Sequence, residues 1–465
     1  VAHVQHTSTT HPAVAPGVWQ QVTDGGVPPI AEPAVHRYGK TLQVAWVSGK
    51  QIRTRMYNAL TGAPKGGITK VLSGWAGLNE QVALTSYNGE RMLAFAGIRS
   101  TVGPPGPYDQ GSLYYALSPD GVTWTLQPGS VSHDTNVLSA IGIAAIDDGG
   151  TPMTAFAVSP HSYVGIHSGV SATVPASTAD TTTASAPGGN VYYPGLARDA
   201  KTHAVWVAWY VINQKNGWEG INAQPVSPAG THIHAPLSSS TSLGKAASLD
   251  PDQTVPVAAR TRGGLYTAYV SGYPTSTKIV VWKLGAANPA FTIPVHHSDG
   301  IVTVAPSVDG KIWVSWVDTT TGRIEAARTN VAVTRIGAVR TVTPPKSAFG
   351  FVGNTIGDGS TGAFDLVATR NGGSSAISYF TRILPGLGGS LSKARVAPGG
   401  RFVVTVTDAG AAVANATVHF AGTTKHTNTK GKVTFTVSRH ARKGKAAVTF
   451  SHAGYAGGTV HVKVT

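Results

Sequence analysis

The chain contains no cysteine. That excludes a disulfide framework, a thiol nucleophile and any cysteine-ligated metal. It does not fix the compartment, because a large core needs no covalent staples. Glutamate is also scarce, with residues 32, 80, 90, 219 and 325 the whole set. Chemistry that needs a glutamate pair has few residues to draw on. No apolar run reaches about 18 residues, the length a membrane-spanning helix requires. No long stretch repeats its apolar residues every 3.6 positions, which argues against a helical fold.

What is abundant points the other way. The 465 residues include 56 glycines and 29 prolines, and Val, Thr, Ala, Tyr and Trp fill the stretches between turns. This favours many short strands joined by tight turns. One pattern returns along the chain: a strand residue, a small residue, an aromatic. It appears as Val44-Ala45-Trp46, Leu93-Ala94-Phe95, Thr154-Ala155-Phe156, Val207-Ala208-Trp209, Thr267-Ala268-Tyr269 and Val314-Ser315-Trp316. A seventh copy, Val367-Ala368-Thr369, keeps the small residue and loses the ring. The small residues lie 49, 61, 53, 60, 47 and 53 positions apart. A strand returning at this period marks a radial or stacked repeat. The strongest copy lies in Ile312-Trp313-Val314-Ser315-Trp316, whose rings are expected to fill the core between repeats.

Each repeat reads as four strands. In the first they cover 33–38, 42–47, 52–57 and 68–72. Short glycine turns follow the first strand of most repeats: Tyr38-Gly39, Asn88-Gly89, Asp148-Gly149, Gly263-Gly264 and Asp309-Gly310. Such pairs supply the positive φ that two-residue hairpins need. There are seven such sets, and the last has no clear fourth strand. Residues 18–23 form an orphan strand ahead of the first set. The expected fold is all-β: a seven-bladed β-propeller over residues 17–385, closed by the N-terminal strand, after a flexible terminus at 1–16.

Ser118-Pro119-Asp120-Gly121-Val122-Thr123-Trp124 resembles the Asp-box of sialidase-type propellers, one residue short. The resemblance implies a folding turn between the third and fourth strands of a blade, with no catalytic part. The sialidase Phe/Tyr-Arg-Ile-Pro stretch is matched only by Arg382-Ile383-Leu384-Pro385, late in the chain and broken by a leucine. Sialidase activity is therefore not carried over.

Glycine-rich residues 386–392 read as a linker. Residues 393–465 alternate in the strand manner and suggest a small β-sandwich. Val404, Val406, Asp408, Val413 and Val418, followed by Asn428, Gly431, Val433 and Phe435, resemble bacterial Ig-like and carboxypeptidase-regulatory-like modules. The resemblance implies a spacer or attachment unit. Asn428 stands where that family's turn often has Asp, which removes support for a bound cation there. Residues 387–465 carry eleven Lys and Arg against one acid, Asp408, while residues 1–386 carry 25 against 20. So basic a segment suits an anionic surface, and it also serves solubility alone. It has no aromatic stacking platform, which argues against nucleic acid.

In such a propeller the loops before the first strand and between the second and third emerge on one face. Glu32, Glu80, Asp134, Asn136, Asn190, Asp252, Asp299 and Asn354 precede successive first strands and would ring the channel mouth. Tyr108, Tyr163, Trp218 and Tyr273 stand in the longer loops of the same face. Acids and amides beside aromatic faces suit a glycan; the same residue types are also ordinary turn residues. Glycoside hydrolysis needs two carboxylates roughly 5–10 Å apart, and Glu32 with Glu80, or Asp252 with Asp299, are the candidate pairs. A polysaccharide lyase needs a base, for which His36, His133, Tyr192 and Tyr193 are available. His3, His6 and His11, His232 with His234, and His296 with His297 lack a third fixed ligand, so no metal or cofactor is expected.

Residue 1 is Val and not Met, which fits either a processed chain or a trimmed one, and export is consistent with the first. The expectation is an extracellular or cell-surface protein that binds a glycan or surface polymer through this face. Two other roles stay open: a secreted glycoside hydrolase or lyase, and a structural part of a surface assembly.

Overall fold

The computed structural model describes residues 15–24, 32–98, 112–128, 140–147, 152–158, 163–169, 190–212, 220–226, 247–249, 253–271, 276–298, 301–318, 320–343, 355–371 and 375–465. Among these, no helix is long and apolar enough to cross a membrane. Apart from a 3-10 turn at Val308–Gly310, the regular elements are strands.

Among the described residues, seven antiparallel sheets follow one another up to residue 383. The first holds Ala34–Tyr38, Thr41–Ser48, Gln51–Asn58 and Pro64–Leu72 in that order. The same meander repeats. Inner strands Ala34–Tyr38, Gly77–Tyr87, Ala140–Asp147, Asn190–Arg198, Ala258–Ala259, Val302–Pro306 and Thr355–Asp358 touch one another in chain order, and the last returns to the first. This is a propeller arrangement around a central channel. The ring closes where Gln20–Gln21 pairs with Ala376–Ile383, Gln20 opposite Phe380 and Gln21 opposite Tyr379. The N-terminal strand thus occupies the outer place of the last sheet, so the sheet's final edge is covered.

The repeated small residue has a geometric cause. Sheets that converge on an axis leave least room between their two innermost strands. There the small residues oppose one another: Ala34 and Ala45, Ala83 and Ala94, Ala144 and Ala155, Gly195 and Ala208, Thr303 and Ser315. The aromatic that follows points to the other face of its sheet: Ala45 joins the core shared with the second sheet and Trp46 that shared with the seventh, while Ala94 faces the third sheet and Phe95 the first. In Ile312–Asp318 the side chains alternate. Ile312, Val314 and Trp316 enter the core shared with the fifth sheet, and Trp313 and Val317 enter that shared with the seventh. Trp313 stacks on Phe364 at 5.4 Å. A sheet buried on both faces explains the unbroken apolar run, and each such ring contributes about 1.5–3 kcal/mol.

The closing seam is also ionic. Arg382 of the last sheet donates to both oxygens of Asp365, at 2.7 and 2.6 Å, and to the carbonyls of Ala59 and Leu60 in the first sheet. Arg37 of the first sheet donates to Asp358 of the last at 2.9 Å.

Residues 388–464 form two more sheets around a shared apolar core. One contains Gly388–Leu391, Arg401–Asp408 and Lys432–Thr436; the other contains Arg395–Val396, Gly458–Val464, Gly444–Ser451, Thr417–Phe420 and Thr423–His426. Here the expected linker is corrected. Gly388–Leu391 is a strand paired with Arg401–Asp408. Its glycines serve packing and not slack: a side chain at Gly389 would run into the ring of Phe450.

This unit sits directly on the propeller. Asp408 Oδ2 accepts from Lys311 Nζ and, at 2.5 Å, from Arg328 Nη2. The Tyr455 hydroxyl donates to the same oxygen at 3.4 Å, and Arg328 lies over the Tyr455 ring at 5.5 Å. The Asp408, Lys311 and Arg328 side chains are 3%, 6% and 4% exposed. Arg335 Nε donates to the Ala409 carbonyl, and Gly386 bridges to both Ala338 and Ala456.

Candidate functional site

Six of the inner strands, with residues 253–257 of the fifth sheet, line a cavity on the axis with a volume of about 220 Å³. Its lining is mostly small and apolar, and Glu32, His36, Gln253, Thr254 and Thr303 supply polar groups. Glu32 precedes the first inner strand, at the end of the channel where the long loops leave. It is 6% exposed, and its Oε2 accepts the Thr254 N–H at 2.9 Å. That bond joins the first and fifth sheets.

The fifth sheet explains why Thr254 is there. Its inner strand is broken into Ala247–Ser248 and Ala258–Ala259, both paired with Leu265–Ser271. The described part of the excursion, residues 253–257, turns into the channel. Gln253 places its amide on the neighbouring inner strand: Nε2 donates to the Val302 carbonyl, and Oε1 accepts the Val302 N–H at 3.3 Å. On the other side the Val255 N–H donates to the Tyr193 carbonyl at 3.0 Å. Gly195 permits this approach, since a Cβ there would overlap the Val255 carbonyl. The excursion bridges the fourth and sixth sheets and, with Glu32, forms one wall of the cavity.

His36 lies deeper in the same wall, half-buried, among the residues that line the cavity. Burial pushes its pKa down to about 4, against the pull of Asp358 and Asp147. The imidazole is therefore neutral at pH 7. Its Nε2 is 3.3 Å from Ser86 Oγ, and its ring is 4.6 Å from Tyr38. A neutral imidazole and a buried carboxyl on one cavity wall can bind hydroxyls or move a proton.

The other expected site residues are placed less fully. Glu80, Asn190, Tyr163 and Tyr192 belong to strands Gly77–Tyr87, Asn190–Arg198 and Tyr163–Ser168, and at these four positions only the backbone is described. Asp134, Asn136, Asp252, Asp299, Asn354, Tyr108, Trp218, Tyr273 and His133 lie outside the described residues, as do His3, His6, His11, His232 and His234. Among the described residues no three His, Asp or Glu gather as a metal site would need. Glu32 is the one carboxylate among the described residues that line the cavity.

The turn at Ser118–Trp124 holds its Asp120 carboxylate with the N–H groups of Thr123 and Val122, both at 2.7 Å, and with Ser118 Oγ at 3.1 Å. Those backbone bonds pull its pKa down to about 2. Gln43 of the first sheet donates to the Gly121 carbonyl at 3.0 Å, so the turn ties two sheets together. It stands away from the cavity.

Sequence reasoning placed Glu32 on the channel but missed its partner, Gln253 and the excursion. Pro251 and Pro256 around Gln253-Thr254-Val255 are the available signal, because two prolines so close interrupt a strand's hydrogen bonding.

No protein-family profile matches the chain. No curated protein matches it in sequence. Among solved structures it is similar to the polysaccharide lyase Uly1, at 9% identity over 82% of this chain and 93% of that one, with a TM-score of 0.46. It is similar to the Dos1 propeller, at 9% identity over 79% and 95%, TM-score 0.45. It is also similar to the Bombyx mori GH32 β-fructofuranosidase BmSUC1, at 10% identity over 79% and 91%, TM-score 0.39.

Proposed function

We propose that this is an exported, glycan-directed protein: a seven-bladed propeller of the Asp-box type, closed by its N-terminal strand and followed by an Ig-like β-sandwich. The glycan is taken at the channel mouth, on the face that carries the loops before each inner strand. The observation that carries this reading is the cavity wall built from Glu32, His36 and the 253–257 excursion, polar groups set in an apolar surround as in a sugar site. To the same site we assign, from the sequence pattern alone, Glu80, Asp134, Asn136, Asn190, Asp252, Asp299 and Asn354, with Tyr108, Tyr163, Trp218 and Tyr273 as stacking faces. The C-terminal unit anchors the propeller on an anionic surface.

Recognition without turnover is the first form of this reading. Turnover is the second, as a glycoside hydrolase or a polysaccharide lyase. Hydrolysis needs two carboxylates, for which Glu32 pairs with Glu80, or Asp252 with Asp299. Elimination needs a base, for which His36 is among the residues that line the cavity. The test is a glycan array run beside an assay for new chain ends, both unsaturated and reducing. Saturable binding with no new ends supports recognition. Unsaturated ends support the lyase, and reducing ends alone support the hydrolase. No binding and no product would sink the glycan reading.

A further inference from the structure

The C-terminal unit has two unlike poles. Its only acidic side chain, Asp408, is engaged in the buried contact with Lys311 and Arg328. Its eleven Lys and Arg are all exposed. They are not spread evenly. Strand Arg401–Asp408 runs from one pole to the other, and eight residues at about 3.4 Å each separate its ends by roughly 24 Å. At the Arg401 end, remote from the propeller, the chain brings together Arg395, Arg439, Arg442, Lys443, Lys445 and Lys463. Arg401 pairs with Thr436, and Gly399 donates its N–H to Val437, which places the 438–443 turn there. Lys445 and Arg395 both register with Lys463.

That last juxtaposition is unfavourable in isolation. Three cations stand side by side across three strands, and like charges directly opposite destabilise a sheet. Among the described residues none of the six has an ion-pair partner. The face beside them carries His461, Thr459, Thr449 and His419, all exposed, with no carboxylate and no large aromatic.

We propose that this distal pole binds an acidic polysaccharide. The cation row steps at the strand spacing, about 4.8 Å, comparable with one sugar residue of an extended chain. Arginine and lysine meet its carboxylates, and the neighbouring hydroxyl and imidazole groups meet its hydroxyls. No exposed aromatic is present for base stacking, which disfavours single-stranded nucleic acid. No large exposed apolar side chain lies in the unit to enter a bilayer. This deepens the anchoring role proposed above and rests on it.

The test uses the full chain and polygalacturonate, with a neutral galactan, duplex DNA and phosphatidylserine vesicles in parallel. Each cation near a polyanionic surface contributes about fivefold in affinity. The triple variant Arg395→Gln, Lys445→Gln, Lys463→Gln is expected to lose about a hundredfold, and high salt to abolish binding. A matched triple, Lys425→Gln, Lys430→Gln, Lys432→Gln, removes the same net charge elsewhere and is expected to lose far less. Equal loss in both triples would reduce the pole to net charge and overturn the proposal. DNA or vesicles bound as tightly as polygalacturonate, or no polygalacturonate bound, would also overturn it. Binding that survives the distal triple would overturn the pole and leave the propeller reading standing. Loss in the distal triple from a protein with no neutral-glycan binding and no turnover would keep the pole and sink the propeller reading.

Discussion

Replacing Asp408 by asparagine keeps the shape of the buried contact and removes its only negative charge. Lys311 and Arg328 then face each other with no carboxylate between them, and Tyr455 loses its charged acceptor. Removing one partner of a buried ion pair costs about 3–5 kcal/mol. Two cations depend on this one carboxylate, so the upper half of that range applies. The cost has a ceiling, because the unit can lift off and return both cations to water. Asp408→Asn is therefore expected to undock the C-terminal unit and leave both parts folded. The assay is limited proteolysis across residues 384–387 with far-ultraviolet circular dichroism as the control for folding. The variant should be cut there at protease levels that spare the parent, with an unchanged spectrum. An apolar triple, Asp408→Leu with Lys311→Met and Arg328→Met, should restore resistance, since apolar groups of like volume often replace a buried charge cluster without loss. An Asp408→Asn protein as resistant as the parent would refute the reasoning.

Two buried groups should give opposite pH slopes. The folded pKa of His36, about 4, lies below its unfolded 6.5, so its contribution to stability is lost as pH falls from 6.5 to 4, by about 3 kcal/mol in all. Burial raises the folded pKa of Asp365 to about 6, above its unfolded 3.8, so its contribution grows as pH falls from 6 to 4. Urea unfolding of the parent should vary little over that window, while His36→Gln should become more stable toward pH 4; a flat profile in the variant would contradict this. Gly195→Ala should lose about 1–3 kcal/mol from the overlap with the Val255 carbonyl, read as a lowered urea midpoint, and an unchanged midpoint would remove the excursion from the channel. Asp120→Ala should lose about 1–2 kcal/mol with the turn's N–H acceptor, and a parent-like midpoint would show the turn to be dispensable.

The sheets were legible because crowding at the axis writes itself into sequence. Only a small residue fits at Ala45, Ala94 or Ala208, and the aromatic that follows each fills the core on the opposite face of its sheet. Ring closure was legible because an orphan strand and a missing strand answer each other. The docking of the C-terminal unit was not legible, although its signal was present. A lone acid in a basic segment marks Asp408, but its partners lie 97 and 80 residues away, and nothing local names them. Gly388-Gly389 looked like slack because glycine serves both flexibility and close packing. At the site, Glu32 stood out as one of five glutamates. The excursion that meets it was hidden in what reads as an ordinary loop before an inner strand.

The central claim is that a glycan occupies the channel mouth against the wall of Glu32 and His36. Calorimetric titration of the parent, Glu32→Gln and His36→Gln with the best ligand of the array tests it most directly. Both replacements keep a hydrogen-bonding group in place, so the cavity wall is retained. Saturable binding by the parent, weakened about tenfold or more in each variant as expected for a buried polar contact worth about 1.4 kcal/mol, is the predicted result. Equal affinity in all three folded proteins would contradict it.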